Sequence, residues 1–251
     1  MENSHATKVQ WTRVIIDTID GVPIDKTAEE LHLHHETVFN MRHKVMLGLV
    51  TFLDKDPVLL KEIAELDETY VLESQKGMRV THRKPRKHGE GASKRGLSDE
   101  QLCVCVAADR DNHVIARCVN RAKPSSEDLA NALAEHIAGK SLLLCDGATS
   151  YNYLAEKTDC EKISLVGHES YNKVYHLNTV NSLHSRFKEM LRTFRGVATK
   201  YLNRYAALFA LIVMSAEHSV AEATDQIRRL LQSLRLSITI KSAKALNILA
   251  I

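Results

Sequence analysis

The chain has 251 residues, of which 44% are apolar and 26% are charged. These fractions are typical of globular proteins, and they exclude a disordered or collagen-like chain. The formal net charge is only +3, so the total charge by itself identifies no partner. The length predicts one large domain and a small one, since a domain holds roughly 150 residues.

Neither a membrane anchor nor a secretion signal is expected. The longest apolar run, residues 205–214, is shorter than the roughly 20 residues that a membrane helix needs. The first ten residues are polar and lack the apolar core of a signal peptide. The five cysteines include no C-x-x-C pair, which argues against a disulfide scaffold and a zinc ribbon. We therefore expect a soluble intracellular protein.

Residues 9–48 predict a compact unit of three helices. Apolar residues recur at helical spacing over the first helix, and Gly21 and Pro23 then interrupt the pattern. The second and third helices are predicted at residues 24–31 and at about residues 35–49.

The second and third helices fit a helix-turn-helix domain over residues 1–50, although His32 takes the turn position that is most often glycine. Small or apolar residues stand where the two helices must cross, at Ala28, Leu31, Leu33, Val38 and Met41. The outer face of the third helix is predicted to carry polar and basic side chains, which suit a DNA major groove. The predicted DNA contacts on this face are Thr37, Asn40, Arg42, His43 and Lys44. The alternative is a small helical cap packed on the larger domain.

From residue 65 the pattern becomes α/β, and one domain is predicted over residues 65–215. Strands are predicted at residues 66–72, 102–108, 113–119, 141–145 and 163–166. Helices are predicted from residue 125 or 126 and at residues 179–193, 200–216 and 220–234. A linker helix over residues 51–64 would join the two domains, and residues 216–251 would form a C-terminal helix and tail.

Residues 76–96 form a loop with eight basic residues and one acidic residue, Glu90. Such a loop gains free energy on DNA by releasing counterions. The predicted DNA contacts in it are Arg83, Lys84, Arg86 and Lys87. The alternative is a solvated surface segment, which is how most charge runs behave.

Four residues from distant parts of the chain form the candidate site. Asp67 lies on the first predicted strand of the α/β region, and Asp146 follows a buried strand. Open α/β sheets place their ligand sites at the carboxyl ends of strands. Asn181 and Lys188, seven positions apart, share one stripe of the long helix.

Two carboxylates and an amide carbonyl are hard oxygen ligands, which suit Mg²⁺ or Mn²⁺. Two such ions, about 4 Å apart, can activate a water or a 3′-hydroxyl for attack on a phosphodiester. Lys188 is placed to contact a phosphate as a point charge. With Asn181 as the third ligand the protein supplies a charge of −2 instead of −3, which predicts looser metal binding.

Other interpretations of these residues remain open. Asp146 could belong to an ordinary Asp-Gly turn, and Asn181 could cap its helix. Glu189 is a rival third ligand at the margin of the polar stripe, whereas Glu68 would point to the other side of the sheet from Asp67. Further candidates, as supporting or proton-transfer groups, are His176 and His184.

The segments around these residues resemble one known family. They are Leu-Asp-Glu-Thr-Tyr at Asp67, Cys-Asp-Gly at Asp146, and Val-Asn-Ser-Leu-His-Ser-Arg-Phe-Lys ending at Lys188. Together they resemble bacterial insertion-sequence transposases of the DDE superfamily, in the branch where Asn replaces the third acidic residue and Lys follows seven positions later. The resemblance covers roughly residues 9–215, including the basic loop, the helix-turn-helix and the segment 194–202.

The resemblance implies a ribonuclease-H-like α/β catalytic domain, a mixed sheet flanked by helices, with a small all-α N-terminal domain. It implies that Asp67, Asp146 and Asn181 hold Mg²⁺ or Mn²⁺ and that Lys188 contacts phosphate. It further implies double-stranded DNA as partner, a homo-oligomer of at least two copies, and a cytoplasmic, nucleoid-associated location. The chain departs from the branch in lacking a cysteine zinc ribbon before the helix-turn-helix and in its C-terminal tail.

The function implied is metal-dependent DNA cleavage and strand transfer at the ends of an insertion sequence. One alternative is a catalytically silent DNA-binding protein derived from a transposase. Another is a structure-specific DNA repair nuclease of the same fold, which would act on branched junctions.

Overall fold

The computed structural model describes residues 5–77, 84, 86–87, 90–166 and 174–216, together with residues 222, 224–225, 227 and 229. Within this part of the chain, three helices come first, and a sheet with further helices follows. The helices are α1 (Lys8–Ile19), α2 (Ile24–Glu30), α3 (His35–Lys55), α4 (Ser126–Leu133), α5 (Tyr151–Lys157), α6 (Asn178–Thr193) and α7 (Leu202–Met214). The strands are β1 (Ile63–Leu72), β2 (Gln101–Asp109), β3 (Val114–Arg121), β4 (Leu142–Cys145) and β5 (Glu161–Ser164).

The five strands form one mixed sheet in the order β3-β2-β1-β4-β5. β1, β2 and β3 are antiparallel neighbours, whereas β4 is parallel to β1 and β5 is parallel to β4. α4 leads the chain from β3 to β4, and α5 leads it from β4 to β5. Helical crossovers of this kind allow parallel pairing. The predicted fold class, a mixed sheet flanked by helices, is confirmed.

Successive residues of each strand face two separate hydrophobic cores, as strand geometry requires. On one face, Val104 and Leu144 pack against α6 and α7. On the other face, Leu66 packs against α4 and α5. Ile63 and Val71 of β1 lie on the first face, so the odd-numbered residues between them also face α6.

A short turn joins α2 to α3, and hydrogen bonds fix the helices around it. His32 has a φ of 52°, in the left-handed region that favours glycine, at the turn position that the sequence marked. The Thr27 hydroxyl donates to the buried Asp17 carboxylate over 2.7 Å and ties α2 to α1. His34 caps α3, because its Nδ1 accepts from the amide of Glu36. The angle of entry into α3 is therefore well determined.

The three N-terminal helices do not have a hydrophobic core of their own. Trp11 of α1 and Val38 of α3 belong to the same buried cluster as Leu208 of α7. α3 packs against α7, and it continues beyond its predicted end at residue 49 as far as Lys55. The division of the chain into two domains remains a prediction.

The linker helix predicted over residues 51–64 is wrong beyond residue 55. Residues 51–55 form the end of α3, and residues 56–62 lie outside helices and named strands. Pro57 explains the end point, because a proline disfavours the helical conformation in the residue before it. Asp56 accordingly has φ −129° and ψ 78°.

The other predicted elements are present with shifted ends. β1 begins at Ile63, three residues earlier than predicted, and β5 ends at Ser164, two residues earlier. The sequence patterns did not indicate α5, which has only seven residues. The helix predicted at residues 220–234 lies largely outside the described residues. Among the described helices, none combines the length and apolar content that crossing a membrane requires.

Candidate functional site

Two carboxylates lie side by side where the neighbouring strands β1 and β4 pair. Asp67 belongs to β1, and Asp146 directly follows Cys145, the last residue of β4. The parallel register pairs Leu66 with Cys145, so the next residue along each strand is an aspartate. Side chains alternate between the two faces along each strand, so both aspartates lie on the α6 face of the sheet, the same face as Leu144. Two of the predicted ligands are therefore neighbours on one face of the sheet.

The electrostatics of this pair agree with its geometry. Burial raises the pKa of Asp67 to about 6, and the Asp146 carboxylate adds to the rise. The amide of Glu68 donates to Asp67 Oδ1 over 2.9 Å and opposes it. Asp146 is exposed, and its Oδ1 accepts from the amide of Ala148 at 2.9 Å. Two negative groups this close favour the binding of a cation.

α6 lies over the pair and presents its polar stripe. The apolar stripe of α6 is buried between the sheet and α7, at Val180, Leu183 and Phe187. On the polar stripe, His184 Nδ1 lies 3.8 Å from Asp67 Oδ2. Asn181 precedes His184 by about one turn, Lys188 follows it by about one turn, and both are exposed. The predicted stripe thus meets the site at His184, with Asn181 and Lys188 on either side.

The two candidate histidines take different places. Burial lowers the pKa of His184 to about 4, so its ring is neutral near pH 7 where it adjoins Asp67. His176 precedes α6, and its Nδ1 lies 3.0 Å from Oε1 of Glu65. His184 therefore belongs to the candidate site, and His176 belongs to a cluster around Glu65.

Glu65, which the sequence patterns did not indicate, holds the start of α6. It is fully buried, and its Oε2 accepts from the amides of Thr179 and Val180 at 2.9 and 3.1 Å. Its Oε1 accepts from the Thr179 hydroxyl at 2.7 Å and pairs with Arg110. First-turn amides have no partner within a helix, so Glu65 caps α6 from the sheet. The available signal was spacing, since Glu65 stands two residues before Asp67 and shares its strand face.

The two rival carboxylates point elsewhere. Glu68 lies on the opposite face of the sheet, as predicted, where it hydrogen-bonds Tyr151 of α5. Burial raises the pKa of Glu68 to about 7. Glu189 is exposed and pairs over 2.9 Å with Arg192, further along α6.

The predicted DNA contacts of α3 fall into two groups. Thr37 is exposed, and Asn40 and Lys44 are half-buried, so all three reach the surface. Arg42 and His43 are only 1% and 4% exposed, and the expectation that they lie on the outer face is wrong. The reason is that α3 packs against α7 as well as α1 and α2, which covers most of its circumference.

Both buried basic residues have partners inside the protein. Arg42 Nη2 donates to the carbonyl of Val22 over 2.7 Å. The His43 ring lies 4.1 Å from that of Tyr201, and its Nδ1 lies 3.3 Å from Arg204 Nη1. Burial lowers the pKa of His43 to about 3. These side chains join the N-terminal helices to each other and to the region around α7.

The predicted contacts in the basic loop also have different surroundings. Lys84 and Lys87 are exposed. Arg86 pairs with Glu100, and this intramolecular partner reduces the charge it offers to DNA. Arg83 lies outside the described residues.

A separate carboxylate cluster lies at the turn between β2 and β3. Ligand atoms of Asp109, Asp111 and His113 lie within 4.8 Å of one another. Asp109 Oδ1 accepts from the amides of Asp111 and His113 at 3.0 Å. Asp109 Oδ2 lies 2.8 Å from His113 Nδ1 and accepts from the amide of Lys61 at 3.1 Å. These bonds account for Asp109 as the residue that closes the turn.

Comparison with known proteins identifies one family. The family described as the ISXO2-like transposase domain matches residues 59–211. Among solved structures, a chain of the simian T-cell lymphotropic virus intasome with PP2A regulatory subunit B56 gamma is 9% identical, with 79% of this chain and 68% of that chain covered and a TM-score of 0.37. The mariner Mos1 paired-end complex with Mg is 14% identical, with coverages of 95% and 83% and a TM-score of 0.36. The Mos1 mariner paired-end complex with Mn is 13% identical, with coverages of 91% and 79% and a TM-score of 0.31. Among curated proteins, none matches.

Proposed function

The chain belongs to the ISXO2-like transposase domain family, and on that premise we propose that it cleaves DNA at the ends of an insertion sequence and joins them to a target. The proposed site consists of Asp67, Asp146 and Asn181, with Lys188 beside it. One observation carries the proposal. The register of β1 and β4 makes the two aspartates neighbours on the face that α6 covers.

The donor set fits Mg²⁺ or Mn²⁺. Two carboxylates and an amide oxygen are hard ligands, and a divalent cation held by these residues would relieve the mutual repulsion of Asp67 and Asp146. When bound, the metal supplies the Lewis acid that activates a water or a 3′-hydroxyl and stabilises the leaving oxygen. Because Asn181 is uncharged, these ligands hold the metal less tightly than three carboxylates would.

The remaining residues of the site bind and orient the DNA. Lys188 is exposed about one turn beyond His184 and is in a position to contact a backbone phosphate as a point charge. His184 is neutral and buried against Asp67, so it shields one side of that carboxylate from water without adding charge.

DNA contacts away from the site come from the N-terminal helices and the basic loop. We assign α2 and α3 as a helix-turn-helix whose exposed first turn enters the major groove, since recognition helices read bases with their N-terminal residues. On α3 the contacts are Thr37 in the first turn, followed at helical spacing on the same side by Asn40 and Lys44. Lys84 and Lys87 would follow the phosphate backbone. Two ends must be held together for transposition, which requires at least a dimer.

Cleavage of duplex DNA carrying the sequences that flank the gene tests the site. Asp67→Ala and Asp146→Ala should each abolish cleavage in Mg²⁺ and in Mn²⁺ and leave end binding intact, because they remove ligands and spare the helical contacts. Asp111→Ala is the matched control, since it removes an exposed carboxylate of the separate hairpin cluster. Its cleavage should equal that of the wild type.

Cleavage by Asp67→Ala at the wild-type rate would refute the assignment of the site. If the wild type binds the ends but cleaves them with neither metal, the catalytically silent alternative is correct. Cleavage of branched junctions without preference for the end sequence would instead indicate a repair nuclease.

A further inference from the structure

We infer that Glu65 is a positioning residue of the metal site, which fixes the start of α6 and thereby sets the place of Asn181 relative to Asp67. The inference rests on the proposed function, because it gives Glu65 a part in building that same site. Glu65 contacts the helix that carries the third ligand, and its role is exerted through that helix.

Glu65 holds the start of α6 through both oxygens of its carboxylate. Both carboxylate oxygens are used, one by the amides of Thr179 and Val180 and the other by the Thr179 hydroxyl and Arg110. The positive end of the helix dipole favours a negative group at this position. Arg110 also donates to the carbonyl of Val174 over 2.8 Å. The chain is therefore held at the first turn of α6 and just before it.

The spacing of two contacts along β1 and α6 relates Glu65 to the proposed metal site. Glu65 meets α6 at Thr179 and Val180, and Asp67 meets it at His184. Two residues of a strand span about 6.8 Å, and the four to five helical residues between those contacts span about 6–7.5 Å. The two lengths match, so the register in which β1 and α6 run in the same direction allows both contacts at once.

Asn181 lies between the two contact points on α6. It comes one residue after Val180 and three before His184. The contacts of Val180 with Glu65 and of His184 with Asp67 therefore fix the position of Asn181 relative to β1. With the Glu65 contact removed, the apolar stripe and His184 would still hold the helix against the sheet, but the buried carboxylate would no longer fix its first turn. The start of α6 could then move, and Asn181 would lose its position relative to Asp67 while the sheet stayed intact.

Mn²⁺ binding to the full-length chain without DNA, measured by calorimetry, tests the inference. Glu65→Gln keeps the side-chain volume but removes the charge and presents an amide group to the helix amides. Loss of a group that orients a metal ligand weakens metal binding by about 10–100-fold, and we expect a loss in this range. The far-UV circular dichroism of the variant should remain that of the wild type.

Two control variants separate positioning from stability. Glu73→Gln removes another buried carboxylate, which pairs with Arg121 over 2.7 Å just beyond the end of β1. It should lower Tm and leave Mn²⁺ affinity unchanged. Thr179→Val removes one bond to Glu65, and Thr193→Val removes a hydroxyl bond at the other end of α6. Only the first should weaken Mn²⁺ binding, by a smaller factor than Glu65→Gln.

A folded Glu65→Gln variant with wild-type Mn²⁺ affinity would overturn the inference. If that variant does not fold, the two threonine variants provide the test. Equal Mn²⁺ affinities of Thr179→Val and Thr193→Val would then overturn the inference. Failure of the proposed function looks different, because the wild type itself would then bind Mn²⁺ no better than Asp67→Ala. In that case both proposals are wrong.

Discussion

At Asp67 the proposed role as a metal ligand opposes the stability of the folded protein. Its pKa is about 6 in the folded protein against an ordinary value of 3.8, so folding favours the protonated form. Above pH 6 the carboxylate is charged in both states, and its burial destabilises the folded state. Between pH 6 and 4 the folded state takes up the proton and the penalty disappears; below pH 4 both states are protonated.

Asp67→Asn should therefore stabilise the metal-free protein at high pH only. After allowance for solvent screening, we expect a gain on the order of 1–2 kcal/mol at pH 8 that vanishes by about pH 4. The amide oxygen of Asn can still accept from the Glu68 amide, so that hydrogen bond is retained. Urea unfolding in EDTA at both pH values measures the difference. A gain that is the same at pH 4 and pH 8 would mean that the charge of Asp67 is not its cause.

Among the elements, α3 packs inside the protein with one side and is proposed to bind DNA with another. The adjacent residues His43 and Lys44 allow the two roles to be tested separately. His43→Ala removes a buried ring packed on Tyr201, and should lower the free energy of unfolding by about 2–4 kcal/mol. The salt dependence of DNA binding by the folded molecules should not change. Lys44→Ala should have little effect on unfolding but should reduce the salt slope of binding by about 1. Urea unfolding and salt titrations of DNA binding separate the two effects, and a reduced salt slope in His43→Ala would contradict the division.

The strand β1 and the helix α3 show where sequence patterns suffice and where they fail. Alternation in β1 was enough to place Asp67 and Glu68 on opposite faces, because strand periodicity fixes the side of every residue, whereas the pairing of β1 with β4 that brings Asp146 beside Asp67 needed the structure. Helical periodicity was not enough for Arg42 and His43. Their partners include Arg204, 161 residues beyond His43 in the chain, and a pattern within one helix does not show that a second element covers it. Glu65 was missed for a related reason, since its strand was predicted to begin at residue 66.

For the whole molecule, the shared core of the N-terminal helices and α7 has a thermodynamic consequence. Leu208 of α7 is fully buried in that core, and α7 also packs against the sheet. Unfolding of the N-terminal helices would expose this face of α7 to water. The helices and the sheet should therefore unfold in one cooperative transition, even though the sequence predicts two domains.

Trp11 makes this cooperativity measurable, because it is the only tryptophan of the chain and lies in the shared core. Its fluorescence reports the N-terminal helices, whereas far-UV circular dichroism averages over all elements. We expect the two urea transitions to coincide in the wild type. Leu208→Ala should move both midpoints together, with a loss of about 2–5 kcal/mol. A fluorescence transition that precedes the dichroism transition would show instead that the helices unfold independently of the sheet, as a hinged DNA-binding domain would.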